Sequence, residues 1–268
     1  MKIEDDFDLQ RIADSGQCFR WEALADGAYR ILNGTYCIYA ESLGNKEYFF
    51  SCGDDEFNTV WWDYFDFSES YAGIRGRINP KEDPFLWRAS QREQGIRILR
   101  QDPWEMLITF IISQNKNIPA IRRSVEMLCE CCGERKLDCR EQVYHAFPKP
   151  VSLAVLGERE LKACGLGYRW SYVHEAAEAV AAGDLNLDSL CNASEETTIH
   201  TLMALKGVGI KVASCVSLFG LHHLDAFPQD VWMKRVIENE YPKGYPYERY
   251  SPYNGVYQQY MFAHYREK

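Results

Sequence analysis

Two ionisable side chains in this sequence stand where chemistry is to be expected. Lys211 follows the turn Lys206-Gly207-Val208-Gly209-Ile210, and Asp230 follows Phe227-Pro228-Gln229, nineteen residues after the lysine. The apolar periodicity of residues 202–235 predicts two helices, with Lys211 in the first turn of one and Asp230 at the start of the next. Glycines on both sides of Val208 let the turn present backbone N–H groups with no side chain in the way, which is a seat for a phosphate at a helix N-terminus. A carboxylate at a helix start caps free N–H groups and is favoured by the dipole, so Asp230 by itself needs no functional explanation. An ammonium there opposes the dipole. That repulsion lowers the amine's pKa toward the range where a neutral nucleophile exists. Gly-x-Gly-x-Lys alone fits a surface lysine after a generic turn. The longer run, Leu205-x-Gly207-x-Gly209-x-Lys211 followed by Phe227-Pro228-x-Asp230-Val231, is far more specific.

That run resembles the helix-hairpin-helix, Gly/Pro-rich loop and Asp motif of the DNA glycosylase superfamily, in the form with a hairpin lysine. Taken with the rest of the chain, the resemblance narrows to the 8-oxoguanine DNA glycosylase/AP lyase family and runs over most of the 268 residues. It implies an enzyme of base excision repair that excises 8-oxoguanine from duplex DNA by base flipping, a Lys211 Schiff base and β-elimination. Asp230 would stabilise charge developing on the sugar. Gly207, Val208 and Gly209 would hold a DNA phosphate, with a monovalent or divalent cation at that contact left open and no cofactor required. Two other readings stay beside it: a glycosylase for a different oxidised or alkylated base, and a non-catalytic helix-hairpin-helix DNA-binding module, which needs neither Lys211, Asp230 nor a base pocket.

Other stretches gain meaning from the same resemblance. Ser113-Gln114-Asn115-Lys116-Asn117-Ile118-Pro119 reads as a polar loop leaving a buried helix; the resemblance makes Asn115 the side chain that fills the gap left by an extruded base. Cys164-Gly165-Leu166-Gly167-Tyr168-Arg169 reads as a helix end followed by a new helix; the resemblance makes Tyr168 a wedge in the base stack and Arg169 a contact to the estranged cytosine. Residues 253–265 predict an amphipathic helix with Val256, Tyr260 and Ala263 on one side. Gln258 and Phe262, four apart, share a face. By resemblance Gln258 reads the Watson–Crick edge of the flipped purine, and Phe262 stacks on it opposite Cys215. Gly16 reads as a strand-entry glycine, and by resemblance its carbonyl accepts the N7 proton that 8-oxoguanine has and guanine lacks. The pattern is not complete. Ala120 stands where eukaryotic members carry a second cytosine-reading arginine, Trp232 replaces a histidine, and Tyr265 replaces an aspartate.

The elements that must position these residues are legible as alternation and punctuation. Short alternating runs at 18–21, 29–32, 36–40 and 48–51, separated by Asp26-Gly27, Asn33-Gly34 and Gly44-Asn45, predict an antiparallel sheet. Residues 56–66 predict a helix burying Trp61, Trp62, Tyr64 and Phe65. Asn79-Pro80 and Asp83-Pro84 mark a lobe boundary near residue 84, with only helices expected beyond it. A helix over 104–112 is announced by Asp102 as N-cap, Pro103 at the first position and Glu105 completing a capping box. The expected fold is α+β: an antiparallel β-sheet lobe over residues 1–84, then a mostly helical lobe over 85–268 with the hairpin near 202–235.

Composition narrows the partners. A net charge of −9 argues against a protein that coats nucleic acid by neutralising many phosphates, while leaving room for a DNA enzyme with few ionic contacts. Cys129, Cys131, Cys132 and Cys139 do not make a metal site, since the first three diverge around one helix and no histidine has finger-like spacing. No cysteine follows Cys215, so the four-cysteine iron–sulfur cluster of related glycosylases is not expected. No apolar run is long enough for a bilayer, the start Met1-Lys2-Ile3-Glu4-Asp5-Asp6 is acidic, and ten cysteines read as reduced thiols. The expectation is a soluble monomer whose partner is double-stranded DNA containing 8-oxoguanine. It would be cytoplasmic and nucleoid-associated in a prokaryote, or nuclear in a eukaryote.

Overall fold

Alternating apolar residues between tight turns force residues 21–50 into a sheet. In the computed structural model, which describes residues 1–266, they form a four-stranded antiparallel meander of β1 (Trp21–Ala23), β2 (Tyr29–Asn33), β3 (Tyr36–Gly44) and β4 (Glu47–Phe50). Trp21 pairs with Ile31 and Ile31 with Ile38, all buried, so the register carries one apolar column across three strands. Asn45 and Lys46 both adopt left-handed backbone (φ 51° and 62°), the two-residue turn whose twist matches the flanking strands.

The sheet begins later than residues 18–21 suggested. Gln17 to Trp21 are all buried, with no exposed face to alternate with. Cys18 packs into the sheet lobe's core and Phe19 into the helical lobe's core, so this segment is a seam rather than a strand. The expected helix over 56–66 is one helical run with a π-turn at Phe57–Trp61. Trp61, Tyr64 and Phe65 are buried in it, while Trp62 faces out.

The chain beyond residue 84 is not helical throughout. β5 (Arg135–Leu137) and β6 (Val143–His145) pair as a small antiparallel hairpin. It is braced against the sheet lobe by Tyr144, whose hydroxyl donates to Thr35 O at 2.8 Å, and by Arg30, paired with Asp138 at 2.9 Å. Asp83 and Asp102 begin helices Pro84–Arg92 and Pro103–Ser113 in the same manner: each side chain accepts from the N–H three residues on, with proline next in sequence. Glu105 does not close a capping box. It is buried and lies 4.0 Å from Arg20.

Two apolar clusters fill the interior, one between the sheet and helix Leu9–Asp14, the other at the centre of the helical lobe. Arg97 lies between them, fully buried. Its guanidinium donates to the carbonyls of Phe65 (3.0 Å), Asp6 (2.7 Å), Asp66 (2.6 Å) and Glu69 (2.6 Å) and stacks over the Tyr71 ring at 4.2 Å. The final helix, Asn254–Arg266, was expected to be amphipathic. It is instead buried on every side from Asn254 to Met261, because it runs between other elements as a strut. Tyr257 ties it to Ile74 O at 3.0 Å.

Candidate active site

The hairpin is helix Glu195–Met203, a turn, and helix Ile210–Phe219. Gly207 sits at φ 77°, and a Cβ there would lie 2.3 Å from Cδ2 of Tyr172, so both conformation and space demand glycine. Gly209 is the N-cap, in extended backbone with no side-chain cap, which leaves the first-turn N–H groups of the second helix available to an anion. Val208 is buried, and its N–H is spent on Leu205 O at 3.1 Å. The outward donors therefore begin after it.

Lys211 leaves this first turn toward a cavity of about 470 Å³, which it lines together with Asp230, Gly16, Phe110, Trp232 and Phe262. The volume is within the ordinary range for a small-molecule pocket. Phe110 gives the lysine an aromatic wall, 6.0 Å from Nζ to the ring centroid. Asp230 caps helix Val231–Glu240, accepting from Met233 N–H at 2.8 Å, and the cap fixes the carboxylate at the cavity wall. Cys215, one turn on from Lys211, is buried. Burial pushes its thiol up to about 11, with Lys211 counteracting and Asp230 reinforcing, so it stays a neutral thiol at ordinary pH. A nucleophile in this cavity is then the amine, not the thiol.

Gly16 has left-handed backbone (φ 82°), and a Cβ built on it would point at Phe262 Cε1, 3.5 Å away. The residues on either side hold it still. Ser15 Oγ donates to Ile12 O at 2.7 Å, and Gln17, fully buried, donates to Ser15 Oγ and Arg97 O and accepts from Leu99 N–H, each at 2.8 Å. The glycine backbone is thus presented to the cavity on a rigid support.

The remaining residues singled out from sequence fall into two groups. Cys215 and Gln258 are buried outside the residues lining the cavity. Gln258 donates to Pro228 O at 3.0 Å and accepts from Gln259 at 2.8 Å, so reading a base requires it to exchange those partners. Asn115, Tyr168 and Arg169 are on two adjoining loops: Asn115 Nδ2 donates to Tyr168 Oη at 3.1 Å, and Arg169 donates to Gln114 O at 2.7 Å and lies 4.4 Å over the Tyr168 ring. Tyr168 is exposed. Arg169 is folded in, without a free guanidinium edge for a base. Trp232 is 40% exposed beside the Arg235 guanidinium, Tyr265 Oη accepts from Asn239 at 2.6 Å, and Ala120 N–H is bound to Asn117 Oδ1 at 3.0 Å. Sequence reading passed over Gln17, and over Lys116 and Arg266, which also line the cavity, Arg266 with its guanidinium 5.2 Å over the Phe262 ring. The signal for Gln17 was its place beside Gly16, and for Lys116 its place inside the polar loop.

Among the described residues, no group of three or more His, Cys, Asp or Glu side chains is arranged to hold a metal ion, and no helix is long and apolar enough to cross a membrane. Residues 1–107 match the family described as 8-oxoguanine DNA glycosylase, N-terminal domain, and residues 108–242 match the HhH-GPD superfamily base excision DNA repair proteins. An N-glycosylase/DNA lyase of Saccharomyces cerevisiae is 33% identical over 257 residues, 87% of this chain and 68% of that protein. The Clostridium acetobutylicum 8-oxoguanine glycosylase/lyase, solved with double-stranded DNA carrying cytosine opposite 8-oxoG, superposes with TM-score 0.91 at 31% identity, covering 100% of this chain and 97% of the other. MBOgg1, solved with a low-affinity DNA ligand, gives 0.92 at 36% identity over 98% and 93%.

Proposed function

This chain belongs to the 8-oxoguanine DNA glycosylase family, and from that premise we propose how its side chains divide the work of releasing 8-oxoguanine from duplex DNA and cleaving the strand. It is a bifunctional N-glycosylase and DNA lyase of base excision repair. The observation that carries the division of labour is that Lys211 and Asp230, remote in sequence, line the same cavity as Gly16 and Phe262.

A base inside the duplex cannot be attacked, so the nucleotide rotates out and protein side chains occupy the vacancy. Asn115 and Tyr168, exposed at the tips of adjoining loops, take that part, with Arg169 facing the opposite base once its bond to Gln114 O is exchanged. Gly207 and Val208 shape the turn, and Gly209 with the N–H groups after it seats a phosphate at the uncapped helix start, where a cation would be a structural bridge and not a reactant. Phe262 stacks on the flipped purine, while Gln258 and Cys215 bound it from behind. Lys211 Nζ attacks C1′ as the C1′–N9 bond breaks, and the base leaves with the electron pair and takes up a proton; the nitrogen then loses a proton and the C1′–O4′ bond breaks with O4′ protonated, which opens the sugar ring and gives the protonated imine. The imine acidifies C2′, whose proton departs as the C3′–O bond to the 3′-phosphate breaks. Asp230 stabilises the cationic sugar between these states. This amine chemistry asks for no cofactor.

Guanine differs from the lesion by one oxygen and one proton, and the Gly16 carbonyl, held by its locked neighbours, is the acceptor that tells them apart. A buried acceptor left unpaired by guanine is worth about 1–3 kcal/mol against it. Replacing Lys211 by Gln is expected to abolish borohydride trapping on lesion-containing duplex; persistent trapping removes Lys211 from its role. Ala120 offers no side-chain donor to a base, so a weaker preference for cytosine opposite the lesion is expected, and comparable cleavage opposite all four bases supports it. Strict dependence on cytosine in a four-partner duplex panel rejects that point.

A further inference from the structure

We infer that Lys116 is a positioning residue that joins the two DNA-inserting loops into one preassembled wedge. The proposal rests on the family reading above but uses a side chain that reading assigns nothing. Lys116 Nζ donates to Gly165 O at 2.7 Å, 49 residues away, and to Ser124 Oγ at 2.5 Å. Gly165 begins the loop that carries Tyr168 and Arg169, whereas Lys116 is in the loop that carries Asn115. Further bonds cross the same gap: Asn115 Nδ2 to Tyr168 Oη at 3.1 Å, Arg169 Nε to Gln114 O at 2.7 Å, and Arg169 Nη2 to the same carbonyl. The lysine's anchor is itself braced, since Ser124 is buried in helix Ile118–Cys132.

The backbone explains why a brace is needed. Asn115 is in left-handed conformation at φ 52°, and Gly165 and Gly167 sit at 74° and 57°, so the first loop lacks a regular backbone ladder and the second has only the single 3-10 turn Gly167–Arg169. Ordering two such loops only when DNA arrives costs binding free energy for each side chain immobilised. Fastening them beforehand removes that cost from the step in which the base pair is opened. Burial and the nearby Arg169 charge lower the Lys116 pKa, which agrees with an ammonium held inside the structure rather than extended to solvent.

The latch is tested in two independent ways with the full-length protein. In DNA-free hydrogen exchange, Lys116→Met is expected to speed exchange in residues 113–119 and in residues 164–169 together; faster exchange in the first loop alone, or in neither, overturns the proposal. In single-turnover excision, Lys116→Met is expected to slow release of 8-oxoguanine from fully paired duplex by about ten- to a hundredfold, with a much smaller loss when the lesion lies in a single-nucleotide bulge and is already out of the stack. Lys116→Arg, which can still donate to a carbonyl, is expected to restore most of the paired-duplex rate. Equal losses on paired and bulged DNA, with one less ion released in the salt dependence, make Lys116 a phosphate contact and sink the latch. A wild-type protein that leaves 8-oxoguanine intact counts against the family reading, while the exchange result still decides the latch.

Discussion

Arg97 and Lys211 are both cations inside the protein, and their surroundings differ in one respect. Arg97 is fully buried with its donors spent on four carbonyls and the Asp5 carboxylate, and its guanidinium face lies over the Tyr71 ring. Lys211 is half-buried at the wall of a cavity, with an aromatic ring as its neighbour and a carboxylate across the space. The first cation has nothing left to offer a ligand. The second is held in position by a helix start while its amine stays uncommitted to any carbonyl. What separates scaffold from site here is therefore whether hydrogen-bonding capacity is consumed inside the fold, not how polar or how buried the region is.

Breaking the scaffold side should give the largest effect. Arg97→Met leaves four buried carbonyls without their donor and is expected to lower stability by about 3–5 kcal/mol, measured by chemical denaturation. A change below about 1 kcal/mol would mean that water replaces the guanidinium and that the contrast is misplaced. On the site side, Asp230→Asn preserves the helix cap, because asparagine caps as well as aspartate, so stability should stay within about 0.5 kcal/mol. Excision should nonetheless fall by about 10²–10³-fold in single-turnover assays. Parallel loss of both quantities would show that Asp230 is merely a cap.

The smallest effect sharpens the comparison through pH. His222, at φ 58° just after helix Ile210–Phe219, has Nε2 3.1 Å from Asp66 Oδ2. Burial, then the Arg100 charge, holds its pKa down at about 3, against 6.5 for a free imidazole. The unfolded chain takes up a proton near pH 6.5 and the folded chain does not until about 3, so stability is intact above 6.5 and is lost as pH falls through that window. Asp66, whose pKa burial raises, acts in the opposite sense at lower pH. The histidine's share is a slope of at most about 1.4 kcal/mol per pH unit below pH 6.5, and buried Glu105, whose carboxyl burial pushes up to about 7, opposes it in the same window. His222→Asn keeps a residue that tolerates left-handed backbone and should remove the histidine's share from the wild-type slope. An unchanged slope would place the proton uptake elsewhere.

The contrast also explains how far sequence reading could go. Turn residues and alternation located three of the four sheet strands, and Asp-Pro announced helix Pro103–Ser113, because those signals are carried by side chains. The same Asp-Pro pair at Asp83-Pro84 reads in the sequence as a lobe boundary and is, in the structure, a buried helix start. Asp83 caps Leu86 N–H and also accepts from the hydroxyls of Tyr241 and Tyr250. Tyr71, Ile74 and Ile78, upstream of that point, pack into the helical lobe's core. Lys211 and Asp230 could be found because an amine and an acid beside helix starts are unusual in their type and placement. Arg97 could not, and for Lys116 the sequence marks its loop but not its role. Their partners are mostly main-chain carbonyls of distant residues, a group every residue carries, so no spacing betrays those bonds. The β5–β6 hairpin escaped for a related reason, since three-residue strands are too short to show a period.

The missing side chain at position 207 has a consequence for how this protein can change. Its Cα lies against the ring of Tyr172, whose edge in turn meets Tyr168, 5.9 Å between centroids. Positions 207 and 172 are therefore a steric couple: a descendant or an engineered variant that gains bulk at one has to shed it at the other. Reshaping the turn at Gly207 without also resetting the Tyr172–Tyr168 pair beside it is closed to single substitutions at this point.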